Sequence, residues 1–170
     1  MKKIFMALFA YVIACSGVFA KNINFQVVQN NPGQEDVFAT SYLFEQALVD
    51  FFFESGHIVS NSPVCIKGEE GEEASELKKV LVETLLGSMD YLVRVQVDYN
   101  AEKSKNANVM LLECVRGVSW KTYAASSGKL ISSGKLVPEK IDNTNNNENG
   151  IYNFASLAAS KISAGLKSAK

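Results

Sequence analysis

Between Tyr91 and Tyr99 the chain alternates with period two. Tyr91, Val93, Val95, Val97 and Tyr99 fall on one side, and Arg94, Gln96 and Asp98 on the other. Successive strand side chains point to opposite faces, so this stretch predicts a strand with one covered face and one wet or partly wet face. A shorter alternation sets Ile23, Phe25 and Val27 against Asn24, Gln26 and a non-conforming Val28, and predicts a first strand. Turn chemistry follows at Asn30-Asn31-Pro32-Gly33. Apolar periodicity then predicts a helix from about Asp36 to Ser55. Glu35 and Asp36 supply negative charge at its start, and Gly56 takes the left-handed position beyond its end.

His57 to Ile66 reads as a second strand, and Pro63, which cannot donate to a ladder, predicts that it is an edge or broken strand. The acidic run "GEEGEEASE" lacks the alternating oxygen ligands of a calcium loop. It reads as a solvated loop whose Glu72 and Glu73 favour the start of a helix from Ala74 to Ser88. Leu77, Val80, Leu81, Thr84 and Leu85 share one face of that helix. A polar loop, 101–108, precedes a long extended stretch from Val109 to about Ala125, with Gly117 as a bulge or tight turn. Ser126-Ser127-Gly128 returns the chain into a strand from Lys129 to Val137. "KIDNTNNNENG" is a polar low-complexity loop before a last helix, Ile151 to about Lys167, whose narrow stripe is Ile151, Phe154, Ala155, Ala158, Ile162 and Leu166. The predicted order is β-α-β-α-β-β-β-α: an α/β (α+β) domain with a mixed sheet of about five strands and three helices.

The first helix carries more apolar surface than one face can bury. Val37, Phe44, Ala47, Leu48, Phe51 and Phe52 suffice for a core face, and Phe38, Tyr42, Val49 and Phe53 fall in line on an adjacent stripe. Either a neighbouring helix covers that second stripe or it is a surface for a partner or for self-association, since exposed aromatic-rich patches commonly mark interaction sites.

Two addresses overlap at the start of the chain. Lys2-Lys3 and the uncharged run Ile4 to Ala14 form a signal peptide, too short to span a bilayer, which needs about 20 residues. Val12-Ile13-Ala14-Cys15 is a lipobox that would acylate Cys15, whereas Val18-Phe19-Ala20 is an ordinary signal-peptidase site. Only seven residues separate Cys15 from the first strand, and they include Val18 and Phe19. This suits a cleavage region better than a solvated tether, so a 1–20 signal peptide and a 21–170 single domain are expected, with the lipid-anchored form as the alternative. Without Lys2 and Lys3 the mature chain holds 15 basic against 18 acidic residues, which argues against nucleic acid as a partner. Cys65 and Cys114 remain in it, and an even pair in an exported protein permits a disulfide as well as two buried thiols.

Recognisable catalytic spacing is missing. The single histidine, His57, sits at a helix-to-strand junction with no cysteine or serine motif beside it. Two cysteines 49 positions apart and one histidine make no metal-ligand spacing. Gly128-Lys129 and Gly134-Lys135 lack both the preceding glycine and the following hydroxyl of a phosphate loop. Nothing singles out a pair of carboxylates. The expectation is a chain that is not an enzyme and takes no cofactor and no metal.

"MDYLVRVQVDY" and "NVMLLECVRGVSWKTYAASSGKLISSGKL" resemble a group of bacterial envelope proteins: the amino-terminal domain of TolB, the LpoB-type activator lipoproteins of penicillin-binding proteins, and the periplasmic domain of CsgG-type secretion channels. In these a helix leads to an Asp-Tyr strand, a loop, a long strand, a glycine-containing turn and a returning strand. Asp90-Tyr91, the strand through Glu113, and Ser127-Gly128-Lys129 match those pieces, and "LFEQALVDFFFESGHIVS" is similar to the first helix and second strand. The resemblance implies a non-enzymatic, periplasmic or outer-membrane-associated protein-binding or assembly module, partnered by an envelope protein or by itself and touching membrane only through a lipid on Cys15. It departs from the group in lacking the channel's membrane-inserting segments and the activators' long tether. The competing expectation is an enzyme or structural subunit acting on envelope polymers.

Overall fold

The computed structural model describes residues 20–168, so residues 1–19 of the expected signal peptide, Cys15 among them, lie outside the described residues. The elements are β1 (Asn22–Asn30), α1 (Ala39–Glu54), β2 (Ile58–Ile66), α2 (Glu70–Leu86), β3 (Tyr91–Tyr99), a 3-10 turn (Leu112–Cys114), β4 (Val115–Ala124), β5 (Leu130–Leu136) and α3 (Glu148–Ser168). The expected order is the observed one. The five strands form one sheet in the order β2-β1-β3-β4-β5. β1 pairs parallel with both β2 and β3, while β4 and β5 run antiparallel.

The central position of β1 explains its imperfect alternation. A parallel strand with neighbours on both sides is buried on both faces, and Val28 is as buried as Phe25 and Val27. β2 is an edge strand whose pairing with β1 shifts register between Gln26 and Val28, opposite Pro63. The long strand expected from Val109 begins only at Val115: 109–111 belong to no strand and the 3-10 turn follows them. The strand's register slips by one residue where Asp98 pairs with Gly117 and Tyr99 with Val115, which is the bulge expected at Gly117.

The main core lies on one face of the sheet. Ile23, Phe25, Val27, Val93, Val95, Val97, Val118 and Trp120 meet Phe44, Ala47, Leu48 and Phe52 of α1 and the stripe of α3. All six residues of that stripe are buried, and its alanines let α3 lie close. A Cβ on Gly165 would come within 2.9 Å of Ser132 Oγ on β5.

The second face is polar and half covered. α2 sits there on a small cluster of Val80, Leu92 and Tyr123, with Leu77 and Leu81 beside it. Asn24 donates to Ser62 Oγ at 2.9 Å and to Thr84 Oγ1 at 2.8 Å. Gln26 donates to Glu76 and accepts from Arg94 Nε at 3.0 Å. α2 starts four residues earlier than its apolar pattern predicts. Glu69 and Glu72 form a reciprocal capping box, so part of the acidic run is the first helical turn and not loop.

Candidate functional site

α1 begins at Ala39, not Asp36, and this redistributes the second stripe. Phe38 is the N-cap residue with extended φ −78° and ψ 144°, so its ring leaves the helical line. It is buried against Tyr99, edge to face at 4.9 Å. Phe38 is therefore core, a correction to the four-residue surface. Val49 is half-buried, whereas Tyr42 is 53% and Phe53 71% exposed. Those two stand at opposite ends of the helix and do not make one patch.

The loop into α1 is fixed by a buried relay. Gln29 Oε1 accepts from the Phe38 N–H at 2.7 Å and from Ser41 Oγ at 3.0 Å, and Gln29 Nε2 donates to Asp36 O at 2.9 Å. Ser41 spends its only hydroxyl proton on Gln29. The Tyr99 phenol, 2.8 Å away, is then the donor to Ser41 Oγ. Burial pushes the Tyr99 phenol well above the ordinary tyrosine range, against the smaller opposing effect of Ser41.

Cys65 and Cys114 are both free, so the bridge that their number permits is not formed. They sit on β2 and at the head of β4, three strand intervals apart, roughly 14 Å at about 4.8 Å per interval. A disulfide needs Cα atoms within about 7 Å. Burial raises both thiols above their ordinary value. His57 is buried and structural in its contacts: Nδ1 accepts from the Lys21 N–H at 3.1 Å and the ring packs on Phe52. Burial, then Lys21 and Lys167, hold it below its ordinary value. Among the described residues no group of three His, Cys, Asp or Glu side chains could hold a metal ion.

The open half of the second sheet face is the feature the sequence does not announce. Beyond the first turn of α2, a groove of about 990 Å³ runs across the last residues of β3 and β5 and the first of β4. Its floor is polar, with Gln96, Asp98, Ser119 and Lys135, and Arg116 and Val137 stand on its rim. Asp98 is held in place by two amides: Asn30 Nδ2 donates to its Oδ1 at 2.6 Å and Gln96 Nε2 at 2.7 Å. The polar members of the Tyr91–Tyr99 alternation were the available signal. That β5 and the Asn30 turn would converge on them required the strand order.

A family model described as "Uncharacterised protein" matches residues 22–167, and the chain belongs to that family. No curated protein matches it. Among solved structures the chain is similar to the PelC dodecamer from Paraburkholderia phytofirmans, at 13% identity over 83% of this chain and 86% of that one, with a TM-score of 0.46. It is also similar to the LpoB C-terminal domain from Escherichia coli, at 10% identity over 79% and 94%, TM-score 0.40. A third similar structure is lipoprotein GNA1162 from Neisseria meningitidis, at 14% identity over 82% and 96%, TM-score 0.42.

Proposed function

We propose that this chain is a non-enzymatic protein-binding or assembly module of the bacterial envelope, working after export and receiving a partner in the groove at the ends of β3, β4 and β5. The observation that carries the reading is the half-bare second face. α2 covers the Leu92 and Tyr123 half with apolar contacts, and the Gln96, Ser119 and Lys135 half is left open with both signs of charge around it. An open groove with Asp98 on one side and Arg116 and Lys135 on the other suits a polar, extended protein segment, since charge complementarity sets register and orientation. The signal-peptide pattern at residues 1–20 supports the location.

The test places a photo-crosslinking residue at Ser119 in the groove of the full chain in its native host. A discrete adduct is expected at Ser119 that disappears when Arg116→Glu and Lys135→Glu are combined. No adduct, or an adduct indifferent to the charge reversal, overturns the reading.

A further inference from the structure

The end of the domain opposite the groove gathers apolar side chains that the core does not use. β1, β2 and β3 all begin there, and α1, α2 and α3 all end there. Backbone bonds tie the pieces together: Ile58 N donates to Lys21 O, Asp90 N to Asn22 O, and Ala125 N to Asp90 O. Lys21 Nζ reaches Leu166 O at the end of α3. Around this end, Leu86 is 79% and Phe53 71% exposed, and Ile58, Leu85 and Leu130 are exposed as well. They come from α1, β2, α2 and β5, so no single helix periodicity brings them together.

We propose that this pole is a membrane-docking surface that rests on the headgroup layer of a phospholipid bilayer. Two observations name that occupant. The first is where the remaining chain leaves the fold. Residue 20 lies at this pole, because Lys21 is bonded to both His57 and Leu166, and the segment before it carries the apolar run Ile4 to Ala14 and Cys15. Six residues from Cys15 to Lys21 reach at most about 21 Å, so in the lipid-anchored alternative an acylated Cys15 would hold this pole, and no other, against the bilayer. The second is its polar complement. Lys21 and Lys167 are both close enough to His57 to lower its proton affinity, and Glu54 stands at the end of α1. Exposed Phe and Leu with lysines beside them have the composition of surfaces that enter the acyl boundary while meeting headgroups. With this pole on the membrane, the groove at the other end of the sheet points away from it. The inference stands apart from the groove reading.

The experiment uses residues 21–170, which contain every described strand and helix and no signal segment, so that only the fold can bind. Co-sedimentation with vesicles of phosphatidylethanolamine and phosphatidylglycerol is expected to retain the chain. Phe53→Ser combined with Leu86→Ser is expected to weaken retention at least fivefold without a change in melting temperature, while the exposed but distant Tyr42→Ser leaves it unchanged. No retention of the parent chain overturns the proposal. A double variant that binds vesicles like the parent overturns it too, as does a concentration-dependent dimer that Phe53→Ser and Leu86→Ser abolish in the absence of vesicle binding. Arg116→Glu with Lys135→Glu is expected to leave vesicle binding intact, so failure at the pole and failure at the groove are read separately.

Discussion

The phenol of Tyr99 at the end of β3 donates to the hydroxyl of Ser41 in the first turn of α1, across 2.8 Å of buried space. Through Ser41 and Gln29 it fastens the 31–38 loop to the sheet, so two hydroxyl protons in series link β3, α1 and β1.

Tyr99→Phe is therefore expected to lower stability by about 1 to 3 kcal/mol, the cost of leaving a buried hydroxyl without its donor. The phenol's raised value gives a second readout. A group whose folded value lies above its unfolded value of 10.0 stabilises the fold fully below that pH, and the contribution is lost as pH climbs through the folded value. Chemical denaturation of the parent should weaken above about pH 10, and part of that slope should vanish in Tyr99→Phe. Equal slopes in the two proteins would contradict the assignment.

Gly134 on β5 lies under the Trp120 ring of β4, its register partner. A Cβ at Gly134 would stand 2.4 Å from Trp120 Cζ2, with two further ring atoms inside 3.0 Å. Gly134→Ala must displace a ring that is itself core, and overpacking of that kind costs roughly 1 to 3 kcal/mol. Thermal melts check the size. Trp120→Leu, which removes the obstructing ring, should make the further change Gly134→Ala nearly neutral.

With the bridge absent, residues 21–170 should titrate two thiols after unfolding without reductant. In the folded state both should alkylate slowly near neutral pH, because the thiolate is the nucleophile and burial disfavours it at Cys65 and Cys114 alike. Non-reducing peptide mapping that joins the two cysteines would contradict the strand order.

The strand of Tyr91 to Tyr99 and the stripe of α3 were legible because each shows one clean period over its whole length. Phe38 was misplaced because helical phase was extended back through a residue whose backbone is still extended; Gln29, nine positions earlier, holds that N–H. The start of α2 was missed because a run of glutamates and glycines carries no apolar period, and its capping box is built on Glu69 and not on the Ser, Thr, Asp or Asn that marks an N-cap in sequence. Neither the groove nor the exposed pole was legible. Each is assembled from the ends of elements far apart in sequence, and Phe53, Leu86 and Leu130 come to the same end of the domain only through the strand order and directions of the sheet.

His57 should make the domain acid-sensitive. Its folded value lies below the ordinary 6.5, so stability is complete above that pH and declines as pH falls, when the unfolded chain takes up a proton that the fold excludes. Protonation would also turn Nδ1 from the acceptor of the Lys21 N–H into a donor facing it. His57→Gln can keep an acceptor there and cannot titrate, so between pH 7.5 and 5.5 its melting temperature should fall less than the parent's. Glu113 and Asp142, whose values are lowered by their own hydrogen bonds, lose their contribution only in the more acidic carboxylate range and do not confuse the comparison. Parallel melting curves for the two proteins across that window would remove His57 as the cause.

Leu48 and Phe53 separate core from surface on the same helix. Leu48 is fully buried at the centre of the α1 face, so Leu48→Ser loses apolar contact and leaves a cavity, costing roughly 2 to 5 kcal/mol. Phe53 is 71% exposed at the helix end, and Phe53→Ser should cost about 0.5 kcal/mol or less, as for most surface changes. Against a typical total of 5 to 15 kcal/mol, the first variant should melt well below the parent and the second should be indistinguishable from it by melting. Sizing and vesicle retention of Phe53→Ser then report on the pole alone, because the fold behind it is unchanged. If Phe53→Ser melts as low as Leu48→Ser, its ring belongs to the core and the exposed pole does not exist in solution.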